Sequence, residues 1–154
     1  TTGFGIIECG ENQQDLVCAG TMKTDRRQEL SERLLSPYTQ AIALIRRFKP
    51  QVMVIEKVFV HYRHPTTAFI LGHARGTFLC AAAACGIPVV EYSATRVKKA
   101  LVGRGLASKR QVQRMVATLS KGVHLGSSLD VTDALALAIA YSNTLKNRLN
   151  QRIR

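Results

Sequence analysis

The chain has 154 residues, 46% of them hydrophobic, and a formal net charge of +12 from 22 Lys+Arg against 10 Asp+Glu. That length supports one domain with its own core, spanning 1–154. The longest apolar run, "TFLCAAAACGIPVV", is interrupted by Gly86 and Pro88 and falls short of the ~20 residues with which a helix crosses a bilayer, while the charge points to a polyanionic partner.

No signal-peptide pattern is visible. Cys9, Cys18, Cys80 and Cys85 all lie in apolar contexts without a CxxC pair, which reads as reduced core thiols in a cytosol-like compartment. A zinc site from Cys80 and Cys85 with His61, His64 or His73 matches no common ligand spacing.

In chain order, "GFGIIECG" and "DLVCAGTMK" flank the turn-like "ENQQ" and predict an antiparallel hairpin. "RRQELSERLLSPYTQAIALIRRFK" has helical periodicity, with a kink or break at Pro37 and an end at Pro50. "VMVIE" follows as a strand, and 65–85 as a helix closed by Gly86. That helix is apolar on more than one face, which predicts burial on both sides or a second subunit against it. Strand "IPVVEY" leads into a helix opened by Ser93 or Thr95, and Gly103 and Gly105 mark a turn. Ser108 caps "SKRQVQRMVATLS", and "LDVTDALALAIAYSNTLKN" is the last helix before a frayed basic tail at about 145–154. Hairpin strands followed by alternating helices and strands define an α/β protein with a mixed β-sheet flanked by helices.

Three of the acids call for an explanation. Glu56 sits among Val54, Ile55, Val58 and Phe59, where an isolated charge would be costly. Asp130 and Asp133 open an apolar helix at i, i+3 spacing, on one face about 5–6 Å apart. Asp130 as an N-cap with Asp133 in the first turn accounts for the pair equally well. With Glu56 at the C-terminal edge of a central strand, where α/β sheets place their sites, a divalent cation would remove the mutual repulsion. Hard oxygen ligands select Mg²⁺ or Mn²⁺. Two ions in such a site suit phosphodiester hydrolysis.

The cations are also patterned. Between Glu91 and Asp130 no acid occurs, while Arg96, Lys98, Lys99, Arg104, Lys109, Arg110 and Arg114 do, which predicts nucleic-acid contact. Lys109 and Arg110 directly follow a helix cap, where a cation is unfavourable unless a phosphate binds there; a solvated lysine is the other reading. Phe59 serves either the core or as a platform for a base, and Tyr62 and Arg63 extend the same loop toward phosphates.

"VIEKVFV", "LGHARG", "VVEYSATRVKKALVGRGLASKRQVQRMV" and "DVTDALALAIA" occur in the order found in bacterial RuvC-type Holliday junction resolvases, which this chain resembles from Thr2 to about Tyr141. The resemblance implies an RNase H-like fold and a homodimeric, Mg²⁺-dependent endonuclease that cuts four-way DNA junctions symmetrically in recombination and repair. It implies a cytoplasmic protein, at the nucleoid when on DNA, working with branch-migration proteins; the apolar 65–85 helix offers the surface for the dimer. Glu56, Asp130 and Asp133 match three of the family's four metal-binding acids. Lys98 and Lys109 match lysines near the cleaved strand, Phe59 an aromatic at the crossover, and Arg75, in the matching "LGHARG" block, is a further candidate for DNA contact. The family's first strand, ending in an aspartate, has no counterpart ahead of "TTGFG", so roughly ten further N-terminal residues are expected in the natural chain. A junction-binding relative that does not cut and an RNase H-like ribonuclease are the competing readings.

Overall fold

A computed structural model describes residues 1–10, 13–57, 65–103, 108–119 and 128–152. The elements run β1 (Thr2–Cys9), β2 (Gln14–Met22), α1 (Leu30–Phe48), β3 (Met53–Glu56), α2 (Pro65–Ala84), β4 (Val89–Tyr92), α3 (Ala94–Val102), α4 (Lys109–Leu119) and α5 (Leu129–Arg152). Strands β1 and β2 pair as the expected hairpin, and β3 pairs with β4, in two two-stranded sheets. The Gly10 N–H donates to the Gln13 carbonyl at 3.0 Å, joining the facing ends of the hairpin strands. The Met53 N–H donates to the Pro88 carbonyl at 2.9 Å. That bond joins β3 and β4 at their N-terminal ends, as a parallel pair linked by a crossover helix requires. Antiparallel and parallel pairing thus both occur.

The residues gather into two compact units, Thr1–Thr21 with Tyr92–Arg154, and Met22–Glu91. In the first, α5 lies along β1 and also packs on α3 and α4. Val131, Leu135 and Ile139 recur at i, i+4 on α5 and are buried, as are Val97 and Leu101 of α3 and Val112 and Val116 of α4. Each such side chain contributes about 1.5–3 kcal/mol by leaving water, which is why three helices with charged outer faces hold together. Ser142 and Asn143, midway along α5, bond to polar groups of β2 and α3. Gln14 Nε2 donates to Ser142 Oγ at 2.8 Å and to Asn143 Oδ1 at 2.9 Å, and Asn143 Nδ2 donates to the Ala100 carbonyl at 3.2 Å. α5 continues to Arg152, so the basic tail is helical there rather than frayed. "LKNRLNQR" contains no Gly or Pro and is rich in good helix formers.

In the second unit α1 packs on α2, burying Ala41 and Ile45 of the one helix and Thr77, Ala81 and Ala82 of the other. α1 runs through Pro37 as a single helix, with the proline buried. A proline inside a helix costs about 3 kcal/mol, and the apolar face laid on α2 offsets it. The alanine-rich end of α2 is therefore the packed end, while Phe69, Ile70 and Leu71 near its start are 69%, 46% and 50% exposed. The cysteines depart from expectation: all four are free, but Cys9 and Cys80 are exposed rather than in the core. Cys80 faces outward because the helix turns Ala81 and Ala82 toward α1 instead.

Candidate active site

Glu56 is the last residue of β3, where the strand passes from half-buried to exposed. Its apolar sequence neighbours therefore do not enclose it, and the desolvation cost that singled it out is not incurred. Asp130 and Asp133 lie on the first turns of α5, both exposed. The helix begins at Leu129, and the Ser128 carbonyl accepts from the Thr132 N–H at 3.3 Å. Ser128 is thus the capping residue, and Asp130 is not. Three residues of helix turn the two aspartates only about 60° apart. Two unit charges about 5–6 Å apart repel by less than ~1 kcal/mol in water, so an exposed pair needs no metal to coexist.

The pair belongs to one unit and Glu56 to the other. Among the described residues, no group of three or more His, Cys, Asp or Glu is gathered to hold a metal ion. The donor chemistry, carboxylate oxygens alone, suits a hard divalent cation. Asp130 and Asp133 supply two such donors from one helix, and a third must come from elsewhere.

The unit that holds the aspartates also carries exposed positive charge on α3 and α4. On α3, Arg96 and Lys99 are exposed and Lys98 is half-buried. Ser93 caps this helix by accepting from the Arg96 N–H at 3.2 Å, and the Arg96 guanidinium lies over the Tyr92 ring at 4.0 Å. Gly103, at φ 73°, ends it with its N–H on the Lys99 carbonyl; this left-handed conformation suits glycine. α4 exposes Arg110 and Arg114, one turn apart, opposite buried Val112 and Val116. Its start is a reciprocal capping box: the Ser108 N–H donates to Gln111 Oε1 at 2.7 Å, and the Gln111 N–H to Ser108 Oγ at 3.3 Å. The Ser-x-x-Gln spacing carries that signal in the sequence. Lys109 opens α4, but its side chain lies outside what is described, as do residues Phe59, Tyr62, Arg63 and Arg104.

Arg75, in the other unit, has an internal partner. Its guanidinium pairs with the Glu91 carboxylate at 2.5 Å, the side chains being 20% and 42% exposed, so the charge it presents outward is reduced. Sequence reasoning also passed over Gly3. A glycine inside a strand signals close approach of another backbone, and here that backbone is the Asp130 turn.

The fold and the solved structures it matches define an α/β protein of the RNase H-like class. A Thermus thermophilus RuvC structure aligns with a TM-score of 0.85 at 28% identity, covering 94% of this chain and 89% of that one. A structure of T. thermophilus RuvC in complex with Holliday junction substrate aligns with a TM-score of 0.84 at 25% identity, covering 94% and 88%. The family described as crossover junction endodeoxyribonuclease RuvC matches residues 1–141. Its member from Hydrogenovibrio crunogenus is 42% identical over 144 residues, covering 94% of this chain and 82% of its own. That from Cupriavidus necator is 42% identical over 143 residues, covering 93% and 78%. The chain belongs to the crossover junction endodeoxyribonuclease RuvC family.

Proposed function

We propose that this protein is a divalent-metal-dependent endonuclease that resolves four-way DNA junctions by paired symmetric nicks. The observation that carries this reading is the family match over residues 1–141, which includes all three acids. Glu56, Asp130 and Asp133 would hold the metal through carboxylate oxygens. Mg²⁺ or Mn²⁺ bound there, at two ions per site, would supply Lewis acidity toward the attacking water and the phosphate. The chain's own residues position the strand. Lys109 and Lys98 neutralise charge at the cleaved phosphate, and Arg96, Lys99, Arg104, Arg110 and Arg114 grip the flanking backbone. Phe59 stacks on a base at the crossover, with Tyr62 and Arg63 on neighbouring phosphates. Arg75, a further candidate for DNA contact, is already paired with Glu91 and contributes less than the exposed cations.

The whole chain acts as one nuclease domain, and two copies match the two-fold symmetry of a junction. Exposed Phe69, Ile70 and Leu71 on α2 offer the apolar surface for that pairing. Only monomer on gel filtration at micromolar concentration would contradict it. Branch-migration proteins are the expected partners, and the DNA-containing cytoplasm, at the nucleoid, the expected location.

The competing reading is junction binding without cutting. Glu56→Gln tests the choice. In the full-length protein it should abolish Mg²⁺-dependent nicking of a synthetic junction while junction binding in EDTA stays within about twofold of the parent. Nicking that survives the substitution refutes the metal-site assignment; a parent that binds but never nicks supports the second reading.

A further inference from the structure

A side chain at Gly3 would occupy space already filled by α5. An ideal Cβ there lies 2.0 Å from the Asp130 carbonyl oxygen, 2.2 Å from its carbon and 2.7 Å from the Val131 nitrogen. All three are backbone atoms, so no rotamer change relieves the clash. Gly5, on the same strand, differs. Its Cβ would meet Leu135 Cδ2 at 2.4 Å and Cγ at 2.8 Å, while the nearest backbone atom is at an ordinary 3.4 Å. Among the described glycines, Gly3 alone brings backbone inside 3.0 Å.

We propose that Gly3 is a positioning residue for Asp130: its missing side chain lets the first turn of α5 seat backbone-to-backbone on β1 and so sets where the Asp130 carboxylate stands. The inference rests on the reading of Asp130 as a metal ligand. Opening the contact from 2.0 Å to the ordinary 3.4 Å needs 1.4 Å of backbone movement. Functional groups tolerate about 0.5 Å, and a displacement of about 1 Å can cost 10²-fold in rate. The rest of α5 cannot absorb the movement by shifting as a whole. Leu135, Ala136, Ile139 and Ala140 are each at most 3% exposed, so the helix is pinned from its second turn onward. The displacement therefore falls on the turn that carries Asp130, with the exposed carboxylate moving away from its ligand position while the core beneath stays packed.

The experiment compares full-length parent, Gly3→Ala, Gly5→Ala and Asp130→Asn for Mn²⁺ binding by calorimetry without DNA, junction binding in EDTA, and thermal unfolding. Gly3→Ala should bind Mn²⁺ at least tenfold more weakly, as Asp130→Asn does, with junction affinity in EDTA within twofold of the parent. Its cleavage at saturating Mn²⁺ should fall about a hundredfold. Gly5→Ala should lower the melting temperature yet bind Mn²⁺ like the parent, because a side chain yields where backbone cannot. Parent-like Mn²⁺ binding by Gly3→Ala overturns the proposal. So does an equal loss in Gly5→Ala, or a Gly3→Ala chain that does not fold, since the glycine would then serve only the fold. Asp130→Asn binding like the parent overturns the metal-site reading itself, and the proposal with it.

Discussion

Removing the cap of α4 should weaken junction binding without removing any contact to DNA. Ser108→Ala eliminates one half of the reciprocal capping box with Gln111, a loss of about 1 kcal/mol. In the intact helix that contribution is opposed. Lys109 and Arg110 occupy the first turn, where each cation costs about 0.3–1 kcal/mol against the helix dipole. The two effects are of similar size and opposite sign, so the end groups add little net stability to the first turn. Loss of ~1 kcal/mol then lowers its formation constant about fivefold. Junction affinity should fall by up to about fivefold, because binding must first restore the turn. Amide exchange at Gln111 and Val112 should accelerate correspondingly. The slope of log affinity against log salt should not change, since no phosphate contact has been deleted. Gln111→Ala should reproduce the effect, and the double variant should add little to it. Faster exchange with unchanged affinity would show that α4 lies outside the DNA interface. A shallower salt slope would show that Ser108 itself contacts phosphate, and the reasoning would fail.

Leu135 is fully buried where α5 meets β1, so Leu135→Ala should lower the unfolding free energy in urea by about 2–5 kcal/mol. Unchanged stability would refute the packing of α5 on β1. Lys99→Ala and Arg110→Ala, on exposed positions of α3 and α4, should each reduce the magnitude of the salt slope of junction binding by about 0.9. An unaltered slope for both would place the interface elsewhere.

Most of the secondary structure was legible because its punctuation is local. Ser93 and Ser108 open helices, Gly86 and Gly103 close them at positive φ, and Gly10 and Gln13 face each other where the hairpin strands end. What misled were effects decided by packing. Pro37 was expected to kink or break α1, but the helix continues through it without a break, with the proline buried. Asp130 was readable as a cap only while the helix start was unknown; Ser128 holds that place. Glu56 drew attention as a charge among apolar neighbours, yet a strand's last residue escapes the environment of the ones before it. The proposal that it holds a metal rests on the family pattern rather than on burial. The contacts of Gly3 were out of reach for a different reason: the atoms it makes room for lie 127 residues away in sequence, at Asp130.

Substrate choice tests the central claim most directly. The full-length protein is incubated with a synthetic four-way junction, a linear duplex of the same sequence and an RNA–DNA hybrid, each with Mg²⁺ or with EDTA. Paired nicks at symmetry-related positions, in the junction alone and only with Mg²⁺, are the predicted result. Binding to the junction without nicks, or cleavage of the hybrid in its place, would contradict the account.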